Sequence, residues 1–225
     1  MTEAIGEVLT YAIGVAISPV PIVAVILMLF SARARVNGPM FLLGWIAALG
    51  VVCGVAYLVS DAADAATDTT AADTVSWGKI AVGVFFLLIA GRQWRSRPAP
   101  GAQPEMPKWM AGIDAFSPVK AFTLALLLAG VNPKNLLLSA GAGAALAQLG
   151  PTTTDAVVSL IVFVVLGSIT IAGPVVYYLV GGDRARVALD STKEWLAVHN
   201  AAVMTVLFLV FGVKLIADGL PVLGG

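Results

Sequence analysis

The sequence predicts an all-α integral membrane protein whose six transmembrane helices form two inverted three-helix repeats, with broken helices 1 and 4. Three observations support this fold class: the composition, the length of the apolar blocks, and prolines inside two of those blocks. Of the 225 residues, 59% are hydrophobic and 12% are charged, whereas a soluble domain carries about 25% charged residues. The mean hydropathy is +0.95. Lipid is therefore the expected solvent.

The apolar residues are gathered into blocks of membrane-spanning length. A bilayer core about 30 Å thick requires roughly 20 mostly apolar residues per helix. The predicted spans are residues 6–30, 39–60, 78–92, 118–148, 156–181 and 200–218. The third is short and is expected to borrow flanking residues. Helices are expected rather than strands, because open strands leave backbone groups unpaired in lipid and the hydropathy does not alternate.

Basic residues are concentrated in alternate connections between the spans. The first, third and fifth connections carry Arg33, Arg35, Arg92, Arg95, Arg97, Lys108, Arg184, Arg186 and Lys193. The second connection has four aspartates and no basic residue, and the fourth has no basic residue either. Because Lys and Arg favour the cytoplasmic side, the odd connections are predicted to be cytoplasmic. The protein is thus expected in the plasma (inner) membrane, multi-pass, with both termini external.

The two halves of the chain contain similar segments in the same order. Residues 17–21 read Ile-Ser-Pro-Val-Pro, and residues 131–135 read Val-Asn-Pro-Lys-Asn. The predicted organisation is a first three-helix repeat at 1–97, a cytoplasmic linker at 98–117 and a second three-helix repeat at 118–225. Each repeat has an odd number of spans, so the second must enter the membrane from the opposite side.

The linker contains apolar residues at helical spacing. Trp109, Ile113 and Phe116 stand at positions i, i+4 and i+7. This spacing predicts a possible interfacial helix on the inner leaflet. The alternative is an apolar lead-in to the fourth span.

Prolines near the middle of spans 1 and 4 mark the candidate site. Proline removes a backbone hydrogen bond and kinks or breaks a helix, and substrate sites of inverted-repeat transporters lie at such broken helices near the midplane. A packing kink is the alternative. The predicted substrate-binding residues are Ser18, Pro19, Pro21, Asn132, Pro133, Lys134 and Asn135.

Lys134 is the sharpest feature of this set, because an ionisable residue near the bilayer centre costs roughly 2.5–3.5 kcal/mol and suggests function. No acidic residue stands at a comparable depth in the sequence. Four outcomes are open: contact with an anionic substrate group, loss of the proton, snorkelling to an interface, or structural capping of the broken helix.

Catalysis and cofactor binding are not expected. His199 is the only histidine and Cys53 the only cysteine, which excludes a histidine-based metal cluster and an internal disulfide. No phosphate-binding glycine loop or pair of carboxylates within a span is present. Ser18 and Lys134 are the one conceivable nucleophile pair, and nothing in the sequence requires them to meet. The chain is therefore predicted to be no enzyme, to need no cofactor and to bind no nucleic acid.

Two segments carry a resemblance to a known family. Residues 116–122, Phe-Ser-Pro-Val-Lys-Ala-Phe, and residues 129–138, Ala-Gly-Val-Asn-Pro-Lys-Asn-Leu-Leu-Leu, resemble the actinobacterial peptidoglycolipid-addressing and sulfolipid-1-addressing family of the lysine exporter superfamily. The resemblance covers essentially the whole chain. It implies a role in delivering glycolipids or peptidoglycolipids to the cell surface, and it equates the two proline segments with the broken helices of the superfamily.

The leading functional hypothesis is a membrane transporter or transport accessory that moves glycolipid or peptidoglycolipid cargo towards the cell surface. The alternatives are a small-solute exporter for amino acids or ions, and an assembly factor for a lipid-synthesis complex. Lys134 without an acidic counterpart favours anionic or zwitterionic cargo. The expected partners are membrane lipids, this substrate and lipid-synthesis or export proteins, and a homodimer is an open option.

Overall fold

The computed structural model describes residues 1–66, 70–97 and 108–220, and in these ranges all regular secondary structure is helical. The α-helices are α1 Thr2–Ala16, α2 Pro19–Phe30, α3 Ala34–Ala66, α4 Thr70–Arg95, α5 Pro118–Gly130, α6 Pro133–Gln148, α7 Thr153–Gly181 and α8 Asp183–Gly219. A 3₁₀ helix occupies Lys108–Ala115. The all-α fold class is confirmed.

The helices provide up to five membrane spans among the described residues. α3, α7 and α8 are each long and apolar enough to cross a membrane, and the pairs α1–α2 and α5–α6 pass the same test as bent spans. The bends are 58° and 65°, so the predicted breaks in helices 1 and 4 are confirmed. The predicted third span lies within α4, which does not meet this test. A sixth span therefore stays a prediction.

α8 begins earlier than the sequence pattern predicts. The expected fifth connection, with its basic residues, is already helical, and α8 runs for 37 residues without interruption. The reason is local: the first part of α8 carries several charged residues, but no glycine or proline occurs between residues 183 and 211 to end a helix. The predicted fifth connection is therefore wrong in its structure, because charge alone does not end a helix.

Both breaks follow from the same local chemistry. Ser18 precedes Pro19, and proline pushes the residue before it out of the α region; Ser18 accordingly has φ −129° and ψ 81°. Asn132 precedes Pro133 and has φ −58° and ψ 121°. In each pair, proline then starts the second helix at its first position, where no N–H is needed.

The chain divides into two compact units, Met1–Asp61 with Glu105–Ala197 and Ala62–Pro104 with Val198–Gly225. Neither unit is one sequential half. The first unit holds the broken spans with α3 and α7, and the second holds α4 and the later part of α8. Each unit thus draws corresponding spans from both predicted repeats.

Within the first unit, each broken span packs against the unbroken span of the other predicted repeat. α1 and α2 pack against α7, where a Cβ on Gly167 would lie 3.4 Å from Val15 Cγ1. α6 packs against α3 so closely that a Cβ on Gly143 would lie 2.2 Å from Cys53 O. A two-fold axis between the predicted repeats would relate span 1 to span 4 and span 2 to span 5. It would therefore relate the contact of span 1 with span 5 to the contact of span 4 with span 2. The inverted repeat itself stays a prediction.

In the second unit, two glycines allow α4 and α8 to approach each other. A Cβ on Gly83 would lie 2.8 Å from Gly212 O, and a Cβ on Gly212 would lie 3.0 Å from Gly83 O. Phe86 and Phe208 pack edge to face beside them, with ring centroids 5.2 Å apart. Small residues at the contact, as is usual in membranes, therefore join these helices.

Large apolar side chains point outwards along α7. Val157, Ile161, Val165 and Ile169 recur every four residues and are all exposed. Such a stripe lies on one helix face, and its contiguous apolar surface is typical of contact with lipid. The packing supports a multi-pass membrane protein.

The basic connections meet at one end of the first unit. Arg186 and Lys193 of α8 lie 5.9 and 5.5 Å from the Phe30 ring at the end of α2. Asn37 Nδ2, at the start of α3, donates to Phe116 O just before α5 at 2.9 Å. The first and fifth connections, and the end of the third connection at Phe116, therefore lie at one end of the first unit, as the charge pattern predicts.

The chain's amino terminus lies beside the fourth connection. The Met1 amino group is 3.2 Å from Asp155 Oδ2 in the first turn of α7. Both were predicted external, and they do lie together. Which side of the membrane they face stays a prediction.

The 3₁₀ helix packs inwards against α2. Met110 and Ile113 are both buried, and their spacing of three residues matches the 3₁₀ repeat. The Trp109 side chain, like residues 98–107, lies outside the described part of the structure. A position on the inner leaflet for this segment stays a prediction.

Candidate functional site at the helix breaks

The two breaks meet at Lys134, whose ammonium lies against the end of α1. Nζ donates to Gly14 O at 2.8 Å, to Ile17 O at 2.7 Å and to Ser18 Oγ at 2.7 Å. The side chain reaches across from the first turn of α6, and the residue is only 5% exposed. All three protons of the ammonium therefore have acceptors within the protein.

These contacts complete the hydrogen bonding of the carbonyl groups at the end of α1. A helix end leaves its last carbonyls without intrahelical partners, and no water is available for them in lipid. Lys134 Nζ donates to Gly14 O and Ile17 O. Ser18 Oγ donates to Val15 O at 2.6 Å. Thr170 Oγ1 of α7 donates to Ala16 O at 2.7 Å. Every carbonyl oxygen from residue 14 to residue 17 thus has a donor.

The hydrogen-bond geometry also fits a charged lysine. Ser18 Oγ lies 2.7 Å from Lys134 Nζ and 2.6 Å from Val15 O, and it carries one proton. If Lys134 were neutral and accepted that proton, Ser18 Oγ and Val15 O would face each other with no hydrogen between them. A serine–lysine nucleophile pair requires an amine that can accept the proton. The structure brings these side chains together, but in an arrangement that suits an ammonium.

Asn135 and Asn132 organise the break in the other span. Asn135 is fully buried, and its Nδ2 donates to Leu128 O in the last turn of α5 at 2.9 Å. Its Oδ1 lies 3.1 Å from Ser18 Oγ. Asn132 caps α6, because its Oδ1 accepts from the Lys134 main-chain N–H at 3.1 Å. We call Ser18, Asn132, Lys134 and Asn135 the break junction.

The energy balance at Lys134 favours the buried position. A lysine at the centre of a spanning helix costs roughly 2.5–3.5 kcal/mol on insertion scales. Hydrogen bonds to a charged group contribute about 1.5–3 kcal/mol each, and Lys134 makes three. The carbonyl end of α1 also carries the negative end of the helix dipole. These contacts offset the cost of burial, and they link the first turn of α6 to the broken end of α1.

The prolines reduce the number of unpaired donors at the start of α2. Ser18 N donates to Ala16 O, and Ile22 N donates to Ser18 O. Pro19 and Pro21 lie between these two residues and have no main-chain N–H. Val20 is then the one residue in this described turn whose N–H lacks an acceptor. The two prolines therefore suit a helix that begins inside an apolar environment.

The predicted site residues have different environments. Ser18 and Lys134 are hydrogen-bonded to each other, and Asn135 Oδ1 lies 3.1 Å from Ser18 Oγ. Pro19 and Pro21 are buried beside them. The Asn132 side chain is half-buried and Pro133 is exposed. For Lys134 the structure shows capping of the broken helix. Direct contact of these residues with a substrate stays a prediction.

Sequence reasoning does not identify four polar residues of α6 and α7. Thr170 caps the end of α1, and it gave no signal because a lone threonine in an apolar helix is common. Ser139 of α6, and Ser159 and Ser168 of α7, have buried hydroxyl oxygens without a hydrogen-bond partner in the described structure. Ser139 follows Asn135 by one helical turn, so the two share a helix face.

Interrupted helices that meet at a buried polar junction, within apolar spans, define a multi-pass membrane protein of the broken-helix type. The chain belongs to the Sap, sulfolipid-1-addressing protein family, which matches residues 8–221. The family resemblance seen in the sequence is confirmed, whereas the place in the lysine exporter superfamily stays a prediction. Comparison with curated proteins and with solved structures gives no match.

Proposed function

We propose that this protein transports, or assists the transport of, a glycolipid or peptidoglycolipid towards the cell surface. The observation that carries the proposal is the junction of two broken spans, because interrupted helices at membrane depth line substrate sites in transporters. Membership of a family described as sulfolipid-1-addressing supports a lipid as cargo. The protein would act without catalysing a reaction, in the plasma membrane.

The charge at the junction supports an anionic or zwitterionic head group. The Lys134 ammonium is bound by neutral oxygens only, so its positive charge is not cancelled by a carboxylate in these contacts. A cationic head group would be repelled at this position. The negative charge of a sulfated or otherwise anionic glycolipid would be attracted by the positive charge of Lys134.

The arrangement of polar and apolar surfaces suits lipid movement. Buried hydroxyls on α6 and α7 offer hydrogen bonds to a sugar-containing head group, and the outer face of α7 is apolar and exposed. In our proposal the head group moves past these buried hydroxyls while the tails remain in the bilayer. Lipid-synthesis or export proteins are the expected partners, and a second copy of the chain is a further option.

The buried hydroxyls without partners give a test that leaves the fold intact. Removing a buried hydroxyl that makes no hydrogen bond is expected to be neutral or slightly stabilising. We therefore expect Ser139→Ala and Ser168→Ala proteins to accumulate normally, but to restore less of the affected surface glycolipid in a host that lacks this chain. Surface and intracellular lipids would be measured by mass spectrometry, with Ser191→Ala as the control at an exposed position.

The outcomes separate the candidate functions. Loss of one glycolipid class from the surface of the deletion host, with accumulation inside and recovery on complementation, supports the proposal. Unchanged surface lipids would contradict it and favour the small-solute exporter, which efflux from vesicles would then examine. If both serine variants restored the surface glycolipid fully, these hydroxyls would not contact the cargo.

A further inference from the structure

We propose that the Lys134 ammonium occupies a monovalent-cation site, so that the lysine acts as a tethered ion at the broken end of α1. The site is formed by Gly14 O, Ile17 O and Ser18 Oγ, at 2.8, 2.7 and 2.7 Å from Nζ. It is buried, and two of its three oxygens belong to the main chain. This inference concerns the break itself and does not depend on what the protein transports.

The oxygen atoms around Nζ have the chemistry of a site for a singly charged ion. Main-chain carbonyls bind K⁺ in selectivity filters, and unwound backbone carbonyls at the ends of half-helices coordinate Na⁺ in transporters with broken helices. Ca²⁺ and Mg²⁺ favour carboxylates and shorter distances, at about 2.0–2.6 Å. The three oxygens here are neutral, and no carboxylate takes part in these contacts.

The surroundings of the site are held independently of the lysine side chain. Val15 O accepts from Ser18 Oγ, and Ala16 O accepts from Thr170 Oγ1. The Lys134 main chain is fixed by the Asn132 cap. Truncation of the side chain at Cβ would therefore leave Gly14 O and Ile17 O without a donor and Ser18 Oγ with a free lone pair. A dissolved cation could replace the ammonium at this point.

The wild-type protein then has no need for dissolved Na⁺ or K⁺ at this position, because the ion is supplied covalently. The truncated protein acquires that need. Any small cation that can enter should stabilise it by mass action, since a ligand that binds only the folded state raises stability.

The test is cation-specific rescue of Lys134→Ala. The purified protein in detergent would be heated in methylammonium, potassium, sodium or choline chloride at equal concentration. We expect at least one of the three small cations to raise the Tm above that in choline chloride by about 2–4 °C, the shift for a ligand at several times its dissociation constant in a chain of this length. The controls are the wild type and Lys120→Ala, which changes an exposed lysine of α5. For each of these two proteins, the Tm should be the same in all four salts.

A second variant protects the test against loss of folding. Lys134→Asn places a short amide near the same oxygens, where it can donate a hydrogen bond to one of the two main-chain carbonyls. We expect this variant to show the same cation preference as Lys134→Ala. Equal Tm values in the four salts for both variants would overturn the proposal. Failure of both variants to give folded protein in any of the salts would overturn it as well, because a dissolved cation would then not replace the ammonium.

Discussion

Thr170 illustrates how single side chains complete the break in span 1. Its hydroxyl, on α7, donates to Ala16 O at 2.7 Å, and Ala16 O also accepts from Ser18 N at 2.9 Å. The carbonyl therefore keeps one donor if the hydroxyl is removed. The Thr170 hydroxyl should therefore make only a small contribution to the free energy of unfolding.

We expect Thr170→Val, which keeps the shape and removes the hydroxyl, to lower the free energy of unfolding by about 0.6–1.7 kcal/mol, the range for hydrogen bonds between membrane helices. Thermal melting in detergent measures the change. Thr123→Val, at an exposed position of α5, is the matched control. An equal Tm for both variants would show that α1 ends without help from α7.

At the scale of elements, the contact between α6 and α3 depends on the absence of a side chain. A Cβ on Gly143 would approach Cys53 O to 2.2 Å and Tyr57 N to 2.7 Å. Both are backbone atoms, which cannot move aside without displacing α3. The helices must separate to admit even a methyl group.

Gly143→Ala should consequently destabilise the protein by roughly 1–3 kcal/mol, the usual cost of overpacking. Gly54→Ala makes the matched comparison, because a Cβ there meets nothing within 4 Å. That substitution should be neutral or stabilising by about 0.5–1 kcal/mol, since alanine loses less entropy than glycine in a helix. Denaturation by heat or by SDS would rank the two, and the reverse order would contradict the close packing of α6 on α3.

For the whole molecule, the contacts fix which connections share an end of the first unit. The amino terminus and the start of α7 lie together, and the ends of α2 and α7 lie near the start of α8. Charge then assigns the sides, with the basic end predicted to face the cytoplasm.

Cysteine labelling in intact cells tests this assignment. Thr153→Cys should react with a membrane-impermeant maleimide from outside, whereas Arg35→Cys should react only after permeabilisation. Both positions are exposed, and the native Cys53 is fully buried, so the background should be low. The opposite pattern of labelling would reverse the predicted topology.

Local signals allowed much of this fold to be predicted from the sequence. Long apolar blocks and prolines specify spans and breaks through properties of a few adjacent residues, and α5–α6 begins and ends at the predicted residues 118 and 148. The start of α8 could not be predicted from hydropathy, because its charged first part is helical without being apolar. The partners of Lys134 could not be predicted, since they lie more than 110 residues earlier in the chain and depend on how α6 packs against α1.

The use of main-chain acceptors by Lys134 has a consequence for evolutionary analysis. Gly14 and Ile17 contribute carbonyl oxygens, which almost any amino acid at those positions would supply equally well. Correlated substitution between position 134 and these two positions is therefore not expected among homologues, although the atoms are in direct contact. Ser18, which contributes its hydroxyl, is the partner expected to covary with Lys134.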